Sequence, residues 1–386
     1  MAKRRATLDE QIETLRRRGV VFEEMGEDRA RYFLTYNSYY FKLKSYENNY
    51  QKIEENGSYR YVGIDFAYLV ELSLIDFALS RLVWSLCSNI EHSIKVDFNQ
   101  KLMDDPDDDI AAKCVHEAFH GLIPTMHDNP YTNDLLTNCH RDFAPWHLWE
   151  LLALNDQLSL YKAYYKVKEE RLPEKHLLFI MRKMRNAVSH GNCLFADMGR
   201  PVPSLVEGEN SRRMADIEVT NKAMRMCGRE PKTGGKRKSA LQVALDRLVV
   251  NNYAAVLICH LRYVNSPRTL RHACDEVSNF IKRANRKREG YFGSKGRTAP
   301  RNVLVNSTLE ALVTLSNGYI EKAEEKAAKL EEKDAYGPRE ELTPEKIDSM
   351  IERKKDKIVD IQNEISDLER QKAGIETENT GMEDEA

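Results

Sequence analysis

Residues 65–100 read DFAYLVELSLIDFALSRLVWSLCSNIEHSIKVDFNQ. Leu69, Leu72, Ile75, Leu79, Leu82 and Leu86 recur at spacings of three and four, the period of one helix face. A half-buried strand would alternate apolar and polar residues instead. The stretch predicts one long helix, and its apolar face needs other helices to cover it.

The neighbouring sequence has the same period. Thr7 and Glu10 stand at capping-box spacing, and a helix over 8–18 should end at Gly19. RYFLTYNSYYFKLKSYENNY, residues 31–50, is aromatic but does not alternate, so it reads as a short helix with an irregular, tyrosine-lined end. DDPDDD from Asp104 is a loop. Residues 146–168 and 174–189 read as two helices, with Pro173 just ahead of the second. Prolines, glycines and basic residues make 199–238 a long surface excursion. Helices are expected over 240–264, 268–285 and 303–333, and Gly337-Pro338 breaks the last. REGYFGSKGRTAPR, residues 288–301, is a Gly-rich basic loop.

From Ile347 a heptad begins. Ile351, Ile358 and Ile365 occupy one seam position, and Ile347, Ile361, Leu368 and Ile375 the other, interrupted by Lys354. That seam either folds back on the 303–333 helix or joins two chains. The expected architecture is an all-α helical bundle with long basic loops and a C-terminal coiled-coil-like helix. Residues 1–198 form its core and 199–302 continue it, with basic excursions at 225–238 and 282–301. Residues 303–376 carry the heptad pattern, and 377–386 form a disordered tail.

Composition narrows the function classes. Hydrophobic residues make up 41% of the 386 and charged residues 31%, which fits a water-soluble protein with a substantial core. The net charge is only −2, yet Lys282 to Arg301 holds eight Lys or Arg against one acid, Glu289. A near-neutral total therefore hides a basic patch able to hold a polyanion. Seven cysteines occur without a CxxC pair, so reduced thiols in a cytoplasmic protein are expected. MAKRRATLDEQ has no apolar core of a signal peptide, and no run reaches the ~18 apolar residues of a membrane helix.

RKMRNAVSHGN, residues 182–192, carries the candidate chemistry. Leu177, Ile180, Met181, Met184 and Val188 share the apolar face of its helix. Arg182, Asn186 and His190 follow at i, i+4 and i+8 on the other side. Arg185 lies at the flank, about 140° from His190 on an ideal helix, so the two do not meet within one straight helix. Either the helix distorts near Gly191 or a second copy supplies the missing partner.

The R-N-x-x-x-H run resembles the R-x4-6-H signature of the HEPN ribonucleases, through Arg185, Asn186 and His190. Further segments resemble the Abi-like abortive-infection family (the AbiD/AbiF group). TLDEQIETLRRRGVVF is similar to its opening, and YNSYYFKLKSY to its N-Y-Y-x-L-x-x-Y element. LIDFALSRLVWSLCSNIEHSIKVDF is similar to its central helix, in which an Asp opens the helix and a Glu follows near the end; Asp76 and Glu91 match. PWHLWELLALNDQLSLYKAY resembles a further segment through Trp146, Glu150, Leu158 and Ser159. The order and spacing agree over residues 7–195. The family commonly places a second His and then an Arg after the motif, where this chain has Gly191 and Cys193.

The resemblance implies a HEPN-type helical fold and a metal-independent endoribonuclease toxin of a prokaryotic antiphage or toxin–antitoxin system. It implies a homodimer in which two R-x4-H motifs meet, and no cofactor. His190 would exchange protons with the RNA 2′-hydroxyl and the leaving 5′-oxygen, imidazole being the side chain that titrates closest to neutrality. Arg185 would clamp the phosphate, and Asn186 would orient groups by hydrogen bonding.

HEAFH, residues 116–120, fits the H-E-x-x-H zinc-peptidase pattern, with Glu117 placed to activate water. The extended pattern fails at Ile123 and Met126, and a third ligand would have to come from His127 or His140. A zinc metallopeptidase is thus an alternative reading, and a non-catalytic RNA-binding module is another. For RNA binding the candidates are Lys236, Arg237, Lys238, Lys282, Arg283, Arg286, Lys287, Arg288, Tyr291 and Arg297, cations for phosphates and a ring for unpaired bases. The expected partners are an RNA substrate, a second copy of the chain and a cognate structured small RNA acting as antitoxin; no membrane is expected.

Overall fold

The computed structural model describes residues 5–55, 58–122, 126, 130–138, 143–203, 210–232, 237–293, 302–336 and 355. The chain forms two compact units, residues 1–330 and 331–386. The heptad positions Ile347, Ile351, Ile358, Ile361, Ile365, Leu368 and Ile375, and the 377–386 tail, lie outside the described residues. The class is all-α: fifteen α-helices and four short strands occur among the described residues.

The first helix, α1 (Leu8–Arg17), opens on the expected capping box. The Glu10 amide donates to Thr7 Oγ1 and the Thr7 amide to Glu10 Oε2. Gly19 follows at φ 89°, and a Cβ there would run into the Tyr61 carbonyl oxygen, so only glycine fits this turn. β1 (Val20–Val21) pairs in parallel with β4 (Ile64–Asp65), and β2 (Lys52–Glu55) pairs antiparallel with β3 (Ser58–Tyr61). The aromatic segment divides into α2 (Glu27–Tyr36), α3 (Tyr40–Ser45) and a 3-10 turn at Tyr46–Asn49, the irregular tyrosine-lined end.

The central element is α4 (Phe66–Asp104), 39 residues long. Asp65 caps it by accepting from the Ala67 amide, while its other oxygen takes the Glu23 and Glu24 amides. Asp76 therefore lies inside the helix rather than opening it. The leucine–isoleucine stripe read from the sequence is buried, and Ile90, Ile94 and Phe98 extend it.

Shorter helices follow: α5 (Ile110–Phe119), α6 (Asn133–Asn138), α7 (Pro145–Leu151) and α8 (Leu154–Val167). The span 146–168 is thus broken. Leu152 is extended at ψ 148°, and the Gln157 side-chain amide donates to the carbonyls of Trp149 and Leu152 at 2.8 Å each, satisfying groups that the break frees.

Next come α9 (Lys175–Ser189), α10 (Asn210–Met226), α11 (Ala240–Ala244) and α12 (Leu248–Tyr263). The expected surface excursion at 199–238 is corrected by α10, whose Val219, Ala223 and Met224 are buried where it packs on α12. Its apolar face is narrow and flanked by basic residues, which is why the sequence read as a loop. The 240–264 helix breaks where Asn251 caps the Leu245 carbonyl. The last helices are α13 (Pro267–Asn285), α14 (Arg288–Phe292) and α15 (Val303–Tyr336). The start of the expected Gly-rich loop is thus the short α14, anchored by buried Phe292.

α4 and α12 form the middle of the core, with α9 packed on both and α13 on α4. α12 is buried almost all round from Val249 to His260. His260 receives a polar lining: its Nδ1 lies 2.8 Å from the Tyr319 hydroxyl and its Nε2 lies 3.3 Å from Asn89 Nδ2. Burial drives its pKa down to about 3, so the ring is neutral. No helix among the described residues is long and apolar enough to cross a membrane.

Candidate functional site

α9 carries Arg185, Asn186 and His190, and its placement follows from its buried side. Leu177, Leu178, Met181 and Met184 face α4 and α12, and Ile180 and Val188 are partly buried beside them. This packing leaves Asn186 and His190 exposed and Arg185 half-buried at the flank.

Arg185 turns toward α4. Its Nε donates to Glu91 Oε1 at 2.8 Å and its NH2 to Oε2 at 3.3 Å, a two-pronged pair across the helices. The guanidinium also sits over the Trp84 ring, 5.2 Å from the centroid. NH1 lies 3.4 Å from Asn186 Oδ1. One edge of the fork is thus fixed by a carboxylate, and the other faces the exposed side of α9. Glu91 is a residue that the family resemblance singled out; the sequence did not reveal that its partner is Arg185.

The end of α9 is a Schellman closure. Gly191, at φ 66°, donates to the Val188 carbonyl at 3.1 Å, and Asn192 to the Ala187 carbonyl at 3.0 Å. The position where the family commonly has a second histidine is here the left-handed residue that ends the helix. His190 becomes the last residue before it, exposed and free of any backbone duty that needs glycine.

Two buried groups then fix the chain that leaves the motif. Asp76 accepts from the Tyr46 hydroxyl at 2.9 Å and from the amides of Leu194 and Phe195 at 3.2 Å each. Asn49 donates to the Phe195 carbonyl and accepts from the Met198 amide, each at 2.7 Å. Burial pushes the Asp76 carboxyl up from its usual range, against the pull of these hydrogen bonds. The His190 turn is therefore set on a fastened backbone.

No hydrogen bond joins Arg185 to His190 among the described residues. Arg185 faces Glu91 and Trp84, whereas His190 stands at the helix end, in line with the angular separation expected of a straight helix.

Beside this turn lies a groove of about 750 Å³. Phe77, Arg81 and Trp84 of α4 line one wall, Glu276 and Asn279 of α13 another, and Gly191 and Asn192 its edge. Sequence reasoning missed the aromatic wall. Phe77 and Trp84 lie off the buried stripe of α4, and bulky rings on the wet side of a helix were the available signal.

The basic candidates scatter. Lys236 and Arg297 lie outside the described residues. Lys282, Arg286, Lys287 and Arg237 are exposed, and Arg288 is half-buried. Lys238 pairs with Asp246 at 2.7 Å. Arg283 is committed inward, its two NH groups bonding the buried carboxylate of Glu71 at 2.6 and 3.0 Å. Tyr291 packs against Tyr68 at 4.8 Å, with the Lys287 ammonium 4.6 Å from its ring centroid.

The rival motif keeps its two imidazole rings close, with centroids 6.5 Å apart. α5 ends at Phe119, so His120 has left the helix and adopts φ 50°. Glu117 is ion-paired with Lys166, which holds its carboxyl below the usual range. Among the described residues no group of three His, Cys, Asp or Glu side chains is placed to hold a metal. His127 and His140 lie outside the described residues.

Residues 32–196 match the family model described as Abi-like protein. Over these residues, less than half of the chain, the sequence is similar to the Abi-like family. The matched segment contains Tyr46, Asp76, Glu91 and the whole of α9, and it ends before both basic segments. No curated protein and no solved structure gives a significant match.

Proposed function

We propose that this Abi-like chain is an endoribonuclease of the HEPN type, a toxin in prokaryotic antiphage defence, cutting RNA with Arg185, Asn186 and His190. The observation that carries this reading is the arrangement around α9. Arg185 is oriented by Glu91 with one edge of its fork outward, and Asn186 and His190 stand exposed beside it.

The chemistry needs only these groups. The RNA 2′-oxygen attacks the adjacent phosphorus, so the O2′–P bond forms as the P–O5′ bond breaks. The 2′-hydroxyl proton goes to a neutral imidazole, and a protonated imidazole delivers one to the leaving 5′-oxygen. The products are a 2′,3′-cyclic phosphate and a 5′-hydroxyl. The guanidinium offers charge-assisted donors to the phosphoryl oxygens as negative charge builds. One chain supplies one His190, and its Arg185 faces another way. A homodimer that brings two α9 ends together would provide both the acid and the base.

The test is cleavage of labelled RNA by purified protein in excess EDTA. Cleavage should persist, yield cyclic-phosphate ends, and vanish in Arg185→Ala and His190→Ala. Titrating wild type with His190→Ala should lower the activity below the wild-type share, because a mixed dimer holds only one of the two histidines that serve as acid and base. Binding of RNA without any cleavage would sink the nuclease reading in favour of a binding module. A cognate small RNA restraining the toxin belongs to the same proposal, and it should co-purify as one defined species.

A further inference from the structure

The groove beside the motif has a composition of its own. Phe77 and Trp84 are 55% and 48% exposed, although both are large apolar rings. They sit seven residues apart on one face of α4, and Arg81 lies between them with its guanidinium 5.7 Å from the Phe77 centroid. Lys42 of α3 reaches the same groove. Neither Lys42 nor Arg81 is held in an ion pair among the described residues. On the opposite wall, Glu276 Oε2 accepts from the Ser85 hydroxyl at 2.7 Å and lies 3.6 Å from His272 Nδ1.

We propose that this groove binds unpaired RNA nucleotides, with bases laid on Phe77 and Trp84 and an amino-bearing base read by Glu276. The inference rests on the ribonuclease reading above, whose substrate preference it names. Stacking on exposed rings with cations close by is the general means of holding single strands. The volume, about 750 Å³, is in the range of a small-ligand cleft rather than a flat contact. Gly191 and Asn192 at its edge follow His190 directly, so a base held here is a neighbour of the phosphate to be cut.

Glu276 sets the preference. An ionised carboxylate only accepts hydrogen bonds. It accepts from the exocyclic amino groups of adenine, cytosine and guanine, whereas uracil offers it only the N3 proton, flanked by two carbonyls that repel it. A second copy of this chain is the other occupant with a claim. Self-association through this groove is therefore read as a separate outcome of the experiment.

The experiment uses the full chain carrying His190→Ala, so that RNA stays intact, and fluorescent hexaribonucleotides A6, C6 and U6. A6 and C6 should bind about tenfold more tightly than U6. Adding Trp84→Ala or Phe77→Ala should weaken A6 and C6 roughly 5- to 100-fold, the loss expected for one stacked base. Adding Glu276→Gln should bring U6 up to the others, because an amide can also donate. Arg81→Ala should lower the salt slope of log affinity by roughly 0.7, the value for one phosphate contact on a single strand. Equal affinities for all three hexamers that none of these substitutions changes would overturn the proposal. So would loss of self-association in Trp84→Ala with oligonucleotide affinity intact, which would assign the groove to a second copy. Base-selective binding by a native chain that cuts no RNA would defeat the nuclease reading and leave the groove assignment standing.

Discussion

The ends of α9 and α5 carry similar residues and arrive at different arrangements. Each helix finishes on a histidine with a charged residue a turn before it: Arg185 and His190 in one, Glu117 and His120 in the other. In α5 the left-handed closing conformation falls on His120 itself, and Glu117 is paired with Lys166 of α8 at the surface. In α9 the left-handed position falls on Gly191, and Arg185 is paired with Glu91 of the central helix, both side chains less than a quarter exposed. The difference teaches that residue types do not make a site by themselves. A carboxylate on a fixed core helix turns Arg185 into an oriented group, and a glycine in the left-handed position leaves the His190 ring exposed at the helix end.

The widest test of that contrast is paired histidine replacement. His190→Ala should cut RNA cleavage by roughly 10²- to 10⁴-fold, the range for removing a general acid–base group. Its thermal midpoint should stay within a degree or two of wild type, since the side chain is exposed and its loss opens no cavity. His116→Ala combined with His120→Ala should leave the cleavage rate within about twofold, as expected of groups outside the reacting geometry. Initial rates on labelled RNA read both. Retained cleavage in His190→Ala, or its loss in the double variant, would break the comparison.

Removing the carboxylate alone sharpens it. Glu91→Gln keeps the shape but leaves Arg185 without its charged partner. Cleavage should fall about 10- to 100-fold, since a small misplacement of a positioned group costs up to ~10²-fold. Stability should drop by about 1–3 kcal/mol for a weakened charge-assisted bond in a half-buried place. The discriminating readout is kcat against KM. A merely structural role would lower the folded fraction and leave the kcat of folded molecules unchanged, whereas an orienting role lowers kcat itself.

Much of this was legible beforehand. The α4 stripe, the α1 capping box and the buried side of α9 follow from periodicity and local chemistry, which short segments encode. The likeness to Abi-like proteins rests on several ordered segments over 7–195; the family match covers those from residue 32 on and leaves out the opening segment 7–22. What escaped depends on contacts between segments far apart in sequence. Glu91 and Arg185 are 94 positions apart, Glu71 and Arg283 are 212 apart, and no spacing rule joins such pairs. The run 282–288 is rich in cations of one kind, yet the last turn of α13 sends Arg283 inward while Lys282, and Arg286 just past the helix, stay exposed. The helix α10 escaped for a different reason: its apolar face is narrow, and proline, glycine and charge around it dominated the reading.

A third histidine gives the comparison a pH axis. His260 is buried and neutral, its pKa driven down to about 3. In the unfolded chain an imidazole titrates near 6.5, so below that pH unfolding takes up a proton that the folded state refuses. Stability from this group is complete above about pH 6.5 and falls by about 1.4 kcal/mol per pH unit as the medium is acidified toward the folded value. Denaturant unfolding between pH 7 and 5.5 stays clear of most carboxylate titration. His260→Gln should be less stable at pH 7, because Asn89 and Tyr319 lose a fitted partner, but its stability should fall less steeply below pH 6.5. Parallel pH profiles for the two proteins would show that His260 does not set the slope.

The smallest expected effects on RNA binding separate the cations at and just beyond the end of α13. Arg283 reads like its neighbours in the sequence, but its charge is spent on Glu71, which is almost fully buried. Arg283→Ala should therefore destabilise the fold by about 3–5 kcal/mol at most, the cost of stranding a buried partner, less what the half-wet setting returns. Arg283 also lines the groove beside the motif, but with its guanidinium held by Glu71 its effect on RNA affinity in the folded protein should be smaller than that of Arg81. Lys282, Arg286 and Lys287 are exposed, so replacing them should leave stability within about 0.5 kcal/mol. If they touch RNA, each replacement should weaken binding modestly and reduce the salt slope by roughly 0.7–0.9 for every phosphate no longer neutralised. Affinity measured at several salt concentrations, beside an unfolding curve for each variant, reads the two effects apart. Should Arg283→Ala lose RNA binding with its stability unchanged, the inward pair with Glu71 is not what occupies that guanidinium in solution. The basic face of α13 would then be broader than the structure draws it.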